Sequence, residues 1–230
     1  MKQLLLAFIG FLPYIAFSQA DSLQDNYDRL YREDQFYASI SYNLLSGTPE
    51  SIKQNGISTG FHFGFIRDMP INTSRRWAIG LGFGVSTNSY NQNLQISETT
   101  EGYSYAITDE DLGNITKNKF TRYLVEFPFE LRWRSSSPSD YKFWRIYSGF
   151  KVGYLLYNTS KFRSDFGNID LSNIDDFEKW NYGLTLSAGY GTWNFQLYYG
   201  LNSLFDESAQ LEGEQIDLSA IKIGIMFYIL

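Results

Sequence analysis

The chain contains no cysteine, so it has neither disulfide bonds, nor a thiolate metal site, nor an N-terminal cysteine that could carry a lipid. It is also short of positive charge, because its 25 aspartates and glutamates outnumber 19 lysines and arginines. The resulting net charge of −6 argues against nucleic acid as a partner. Beyond the N-terminus it lacks an apolar run of about 18 residues, which excludes a bundle of membrane-spanning helices.

The N-terminus reads as a secretory signal peptide spanning residues 1–20. Lys2 supplies the positive charge, residues 4–17 are apolar, and Ser18-Gln19-Ala20 is a small-x-small cleavage site. The polar, acidic segment 21–34 follows, and we predict it to be periplasmic. Its apolar residues recur at helical spacing, as in a short amphipathic helix. An unstructured leader is the alternative, and we give the two interpretations equal weight. Residues 35–230 form the remaining domain.

Aromatic residues are abundant, at 18% of the chain, and they alternate with polar ones. In residues 122–134, RYLVEFPFELRWR, every second side chain from Tyr123 to Trp133 is apolar, and the others are mostly charged. A period of two residues indicates a β-strand. One apolar face and one charged face are typical of a membrane barrel strand, whose charges point into the lumen.

The same alternation recurs along the chain in segments close to the roughly 9–11 residues that cross a bilayer as a tilted strand. The sequence therefore predicts an all-β fold, an eight-stranded antiparallel transmembrane β-barrel of the OmpA-like kind with a cleaved signal peptide. Pro128 lacks a ladder donor, so we expect a bulge there. The predicted strands are residues 35–45, 57–67, 76–86, 122–134, 141–157, 178–190, 192–202 and 217–230.

The connections alternate in length, as in outer-membrane barrels with short periplasmic turns and long extracellular loops. With an even number of strands, this predicts a protein of the cell outer membrane with both termini periplasmic and the long loops extracellular. The predicted long connections are residues 46–56, 87–119, 158–177 and 203–216, and the short ones are residues 68–75, residues 135–140 and Gly191.

Charged side chains on the inward face are expected to form a buried ion-pair network with a structural role. Carboxylate pairs can also act in acid–base catalysis, but the many arginines nearby favour a structural plug. A plug also argues against an open pore, which would need about sixteen strands. The predicted lumen network comprises His62, Arg122, Glu126, Glu130, Arg132, Arg134, Arg145 and Lys151.

Little in the chain points to catalysis or to a cofactor. His62 is the single histidine, and no serine–histidine–aspartate or metal-ligand spacing accompanies it. We therefore predict no enzyme, no cofactor and no metal site, with a lipid A-modifying enzyme as the least favoured alternative. Acidic runs such as residues 109–111 could hold divalent cations, but a solvated loop is the favoured interpretation.

Six stretches of the sequence resemble the PorT family of small outer-membrane barrels, which belong to bacteria that use type IX secretion. The resemblance covers essentially the whole mature chain, and FIRDMPIN and FWRIYSGFK are its most distinctive parts. It implies an accessory role in exporting gliding adhesins and secreted hydrolases, and it implies no catalytic residue. The stretches are YREDQFYASISYNLL (31–45), QNGISTGFHFGFIRDMPIN (54–72), NSYNQNL (88–94), LVEFPFELRWR (124–134), YKFWRIYSGFKVGYL (141–155) and AIKIGIMFYIL (220–230).

The expected partners are outer-membrane lipid and lipopolysaccharide, together with other components of the secretion system. A generic structural barrel or narrow channel without a secretion role is the alternative. The long loop 87–119 is one candidate surface for partners. The individual residues predicted to contact periplasmic partners are Tyr27, Leu30, Tyr31, Arg67, Arg75 and Arg76.

Overall fold

The fold was analysed in a computed structural model, which describes residues 34–100, 102–108, 114–135 and 143–229. The predicted signal peptide, nearly all of the segment 21–34 with Tyr27, Leu30 and Tyr31, and the acidic run 109–111 lie outside these ranges. No helix of the described residues is long and apolar enough to cross a membrane.

Eight long strands of the described chain form the barrel wall, and five short strands lie in its long connections. The wall strands are β1 (Gln35–Thr48), β2 (Thr59–Pro70), β3 (Trp77–Asn91), β6 (Ile115–Arg134), β7 (Trp144–Ser164), β9 (Trp180–Tyr190), β10 (Trp193–Gly200) and β13 (Asp217–Ile229). The short strands are β4 (Leu94–Thr99), β5 (Gly102–Ile107), β8 (Gly167–Ser172), β11 (Gln210–Leu211) and β12 (Glu214–Gln215).

The wall strands pair in chain order, each antiparallel to the next, and β13 pairs with β1 to close the ring. The closing seam is continuous from Phe36 opposite Ile229 to Thr48 opposite Asp217. Closure removes both sheet edges, so the ring of backbone hydrogen bonds can be completed within lipid. The predicted eight-stranded antiparallel barrel is confirmed.

The outer face carries an apolar band, because alternate residues of each wall strand point outward. Phe61, Phe63 and Phe83 are among the outward side chains, each more than half exposed. Aromatic girdles border this band, with Trp77, Trp133, Trp144, Tyr190 and Trp193 towards the short turns and Tyr42, Tyr123, Tyr157, Trp180 and Tyr199 towards the long connections.

The distance between the two girdles matches a bilayer. Tyr123 and Trp133 are the girdle residues of β6, and Trp180 and Tyr190 are those of β9. Both pairs are separated by the same number of residues, about 33 Å along the strand at roughly 3.3 Å per residue. At a tilt of about 40°, this corresponds to about 25 Å along the membrane normal, the usual height of the apolar band.

Two wall strands continue far beyond the membrane band, which the predicted boundaries missed. β6 begins at Ile115 rather than at residue 122, and β7 ends at Ser164 rather than at residue 157. Outside lipid the outward side chains are polar, so the apolar alternation that defined the predicted strands is absent there. The predicted long loops 87–119 and 158–177 were therefore partly wrong, since both contain strands.

The bulge predicted at Pro128 is also wrong. Pro128 is paired with Lys151 in an unbroken register, and it faces Gly82, which leaves room for the ring. The β6–β7 ladder has register shifts between Ile115 and Lys117 and between Tyr123 and Leu124, and at the second of these Leu156 of β7 is the extra residue. Leu156 and Tyr157 are consequently both exposed. The inward-pointing residues of β7 have odd numbers up to Leu155 and even numbers from Asn158 onwards.

Candidate functional site

The interior beside the short turns is organised around Asp68, a fully buried carboxylate of β2. Arg132 donates from Nη1 to Asp68 Oδ1 at 3.0 Å, and Arg134 donates from Nη1 to Asp68 Oδ2 at 2.8 Å. Arg132 also donates to Gln35 Oε1 at 2.8 Å and to Glu130 Oε2 at 3.1 Å. We call Gln35, Asp68, Glu130, Arg132 and Arg134 the turn-end layer. Its ion pairs compensate for the loss of hydration of each charge.

A second group of charges lies nearer the middle of the barrel, around Glu126. Its carboxylate accepts a hydrogen bond from Lys151 Nζ at 3.0 Å and from Ser86 Oγ at 2.9 Å, and it lies 3.1 Å from His62 Nδ1. All four side chains are buried. We call them the Glu126 layer.

Ser41, His62 and Glu126 are aligned in the order of a nucleophile, a base and an orienting carboxylate. Ser41 Oγ lies 3.5 Å from His62 Nε2, a distance too long for an activated nucleophile. The Ser41 hydroxyl instead donates to Asn43 Oδ1 at 2.8 Å. Ser41 is also buried at 5% exposure, so a substrate would have to enter a packed interior to reach it. The alignment therefore favours a structural hydrogen-bond chain.

The two remaining arginines of the predicted network lie apart from these layers. Arg122 donates to Asn181 Oδ1 at 2.7 Å and to the Glu178 carbonyl at 2.6 Å, at the junction with the long connections. Arg145 lies at the opposite end, where it donates to the Gly191 carbonyl and stacks over Phe143 at 4.4 Å. The structure thus separates the predicted single network into layers at different depths.

Two interior charges were missing from the prediction. Asp68 was predicted to lie in a turn, because the apolar alternation of its strand ends at Phe65 and the predicted strand ended at residue 67, but β2 continues to Pro70. Lys222 lies on the inward face of β13, and its Nζ is 4.7 Å from the centre of the Tyr198 ring. Inward parity on the strands was the signal available for both residues.

The long connections fold over their end of the barrel and form a hydrophobic core, which we call the cap. Phe120 lies at its centre, with ring centres 5.3 Å from Phe177 and 5.6 Å from Phe205. Tyr105 of β5 covers this cluster and donates from its hydroxyl to Asp176 Oδ2 at 2.8 Å. Burial and this hydrogen bond to Asp176 raise the pKa of Tyr105. The buried cap residues are Tyr90, Leu94, Ile96, Phe120, Leu124, Leu155, Ile174, Phe177, Tyr198, Leu204, Phe205, Ala209, Leu211, Ile216, Leu218 and Ala220.

Side chains fill the space between the Glu126 layer and the cap. A cavity of about 20 Å³ remains there, bordered by Glu126, Lys151 and Tyr90 among others. A volume of this size holds about one water molecule. At the other end, Arg132 and Arg134 have no exposed surface. The interior is therefore packed at three successive depths, as in other barrels of about eight strands.

The basic residues predicted to meet periplasmic partners lie near the connection between β2 and β3, with Arg67 on β2 and Arg75 and Arg76 in the turn. Arg67 and Arg76 are exposed, whereas Arg75 is half-buried with a positive φ of 55°. The Arg75 carbonyl accepts from Arg134 Nε at 2.9 Å, which connects the turn to the turn-end layer. Within the described ranges, no three histidine, aspartate or glutamate side chains are grouped so as to hold a metal ion.

Fold and interior together define a small outer-membrane β-barrel with a packed lumen. A family model described as "outer membrane protein beta-barrel domain" matches residues 17–206. The chain belongs to this family.

A search of solved structures matches the chain to, among others, the crystal structure of Ail, the attachment invasion locus protein of Yersinia pestis. Ail is 14% identical, with a TM-score of 0.40 over 86% of this chain and 99% of that one. A porin of Rhodopseudomonas blastica is 9% identical, with a TM-score of 0.22 over 86% of this chain and all of that one. No curated protein sequence matches the chain.

Proposed function

We propose that this chain is a non-enzymatic outer-membrane barrel that assists protein secretion by the type IX system and acts through its surfaces. The proposed action through surfaces rests on the filled interior, which has buried ion pairs at one end and a hydrophobic cap at the other. A protein that offers no wide lumen has to serve other components by anchoring or assembling them. The secretion role itself is supported by the resemblance of residues 54–72 and 141–155 to PorT proteins.

The proposed orientation puts the short turns and both ends of the chain in the periplasm and the cap outside the cell. The basic turn with Arg67 and Arg76 then faces the periplasmic parts of the secretion machinery, together with the segment 21–34. Both arginines are exposed. Exposed basic groups are suited to an acidic partner surface.

The proposal is tested by measuring type IX cargo in the medium of a clean deletion strain. We expect cargo to accumulate inside the cells and export to return with the wild-type chain. Complementation with Arg67→Gln/Arg76→Gln should restore export only partly, whereas the matched variant Lys53→Gln/Lys179→Gln, changed at the other end, should restore it fully. Normal export in the deletion strain would refute the secretion role.

A structural barrel without a secretion role is the second candidate. The extensive packing of the interior favours it, because ion-paired layers and a cap make a rigid wall element in any outer membrane. A deletion strain with normal export but a leaky envelope, measured by the uptake of a small dye, would support this candidate over the first.

A further inference from the structure

Beyond the membrane band, the outer face of the β6–β7 ladder carries a cluster of basic side chains. Tyr123 and Tyr157 are cross-strand partners with ring centres 5.7 Å apart, and both are about two-fifths exposed. Lys119 and Lys161 follow four residues further on each strand. This places them about 13 Å along the strand past the girdle, at the depth of lipid headgroups.

The basic residues face one another across the ladder. Lys119 is directly opposite Lys161, and Lys117 is directly opposite Arg163. Like charges in such positions destabilise a sheet. Burial, reinforced by the charges of Lys117 and Lys161, lowers the pKa of Lys119. Asp170 lies 2.6 Å from Arg163 Nη2 and directly opposite Lys161, and Asp165 follows at the end of β7, so the four basic side chains outnumber the two carboxylates described beside them.

A polar cleft of about 380 Å³ adjoins the cluster at Lys117. Asn91, Thr116 and Asn118 contribute amide and hydroxyl groups to its wall. Asn118 is buried at 9% exposure, yet neither its Oδ1 nor its Nδ2 has a hydrogen-bond partner in the described structure. Buried amides are normally satisfied, so Asn118 is an exception in the inner wall behind this cleft.

We propose that this face binds the phosphorylated sugar headgroup of an outer-leaflet glycolipid of the lipopolysaccharide class. Lys119, Lys161, Lys117 and Arg163 hold the phosphate, and the polar cleft beside Lys117, with the Thr116 hydroxyl, holds the adjoining sugar. Lysine and arginine form charge-assisted bonds with phosphate oxygens, and hydroxyl and amide groups pair with sugar hydroxyls. The aromatic girdle beneath the cluster keeps it at the membrane surface, where this lipid is presented. The inference rests on the proposed orientation, with the cap outside the cell.

The test uses the full folded barrel in detergent, titrated with lipopolysaccharide that carries its lipid A phosphates. We expect Lys119→Gln/Lys161→Gln to bind at least about tenfold more weakly than the wild type, through the loss of charge-assisted contacts. The matched variant Lys53→Gln/Lys179→Gln removes the same charge from exposed positions elsewhere in the long connections and should bind like the wild type. Equal affinities for all three proteins would overturn the proposal.

Further probes identify which part of the ligand is bound. Dephosphorylated lipopolysaccharide should bind as weakly to the wild type as the intact lipid binds to the double variant. Thr116→Val should weaken binding of the glycolipid but not of phosphatidylglycerol vesicles, because it removes a hydroxyl group of the cleft and no charge. Inorganic phosphate that competes fully at millimolar concentration would overturn the assignment to a lipid.

The orientation is tested separately, so that its failure is distinguishable from that of the binding site. Lys53→Cys introduces the chain's one cysteine, and a membrane-impermeant maleimide should label it on intact cells. Labelling only after the cells are opened would overturn the assignment to the outer leaflet and the proposed orientation together. The secretion role is judged independently by cargo export.

Discussion

Asp68 is the residue whose charge the turn-end layer needs most, because it accepts from two buried arginines at once. We expect Asp68→Asn to destabilise the barrel by about 3–5 kcal/mol, since it removes the negative charge that two buried guanidinium groups share. The measurement is the temperature at which the folded band on a gel converts to the unfolded one. Glu214→Gln, at an exposed position, serves as the control and should melt like the wild type.

Substitutions in the hydrogen-bond chain Ser41–His62–Glu126 distinguish a structural role of this chain from a catalytic one. Ser41→Ala should leave both the thermal stability and any envelope phenotype nearly unchanged. Glu126→Gln should lower the melting temperature clearly, because Lys151 loses its buried partner. An intact, stable Ser41→Ala protein that fails to restore the phenotype of a deletion strain would contradict the structural interpretation and favour an enzyme.

At the scale of elements, the packing of β1 against β2 and β3 depends on two glycines opposite one tyrosine. Gly64 and Gly84 are cross-strand partners, and the Tyr37 hydroxyl lies where a Cβ on either would stand. That hydroxyl has no hydrogen-bond partner among the described residues. The glycines are thus required by the close approach of an aromatic side chain.

This packing leads to a double-mutant experiment. Gly84→Ala should destabilise the barrel by about 1–3 kcal/mol through overpacking. Tyr37→Phe alone should change stability little, and combined with Gly84→Ala it should recover part of the loss, because the clashing oxygen is gone. Strictly additive melting temperatures in the four proteins would show that the two positions do not interact.

The cap depends on the hydroxyl of Tyr105 at β5. The raised pKa of Tyr105 means that its contribution is complete below the unfolded value of about 10 and falls as the pH rises above it. We expect wild-type cap segments to become more sensitive to an alkaline-active protease between about pH 9 and 11. Tyr105→Phe should be more sensitive already at pH 9 and should change less with pH, whereas Tyr199→Phe, on the lipid face, should behave like the wild type.

At the scale of the whole molecule, the packed lumen predicts the absence of a steady ion current. Purified barrel reconstituted in planar bilayers should show no sustained open-pore conductance, because buried side chains close both ends. A sixteen-stranded porin in the same bilayers provides the positive control. A stable conductance from the wild-type chain would favour the narrow-channel alternative.

The wall of the barrel was predictable because lipid imposes one simple pattern on it. Phe61, Phe63 and Phe65 point outward from β2 with His62 and Gly64 between them, and such alternation can be read directly from the chain. The positions of Glu126, Glu130, Arg132 and Lys151 inside the barrel followed from the same parity. For these residues local sequence was sufficient, since a strand places every second side chain on the same face.

The cap, the partners of Asp68 and the bulge at Leu156 were decided only by the tertiary structure. Phe120, Phe177 and Phe205 are distant in sequence and share no periodicity, so nothing local indicates that they meet. Asp68 of β2 pairs inside the barrel with Arg132 and Arg134 of β6, which are distant from it in sequence. Sequence alone determined which side chains face lipid, whereas closure of the ring determined which buried groups neutralise one another.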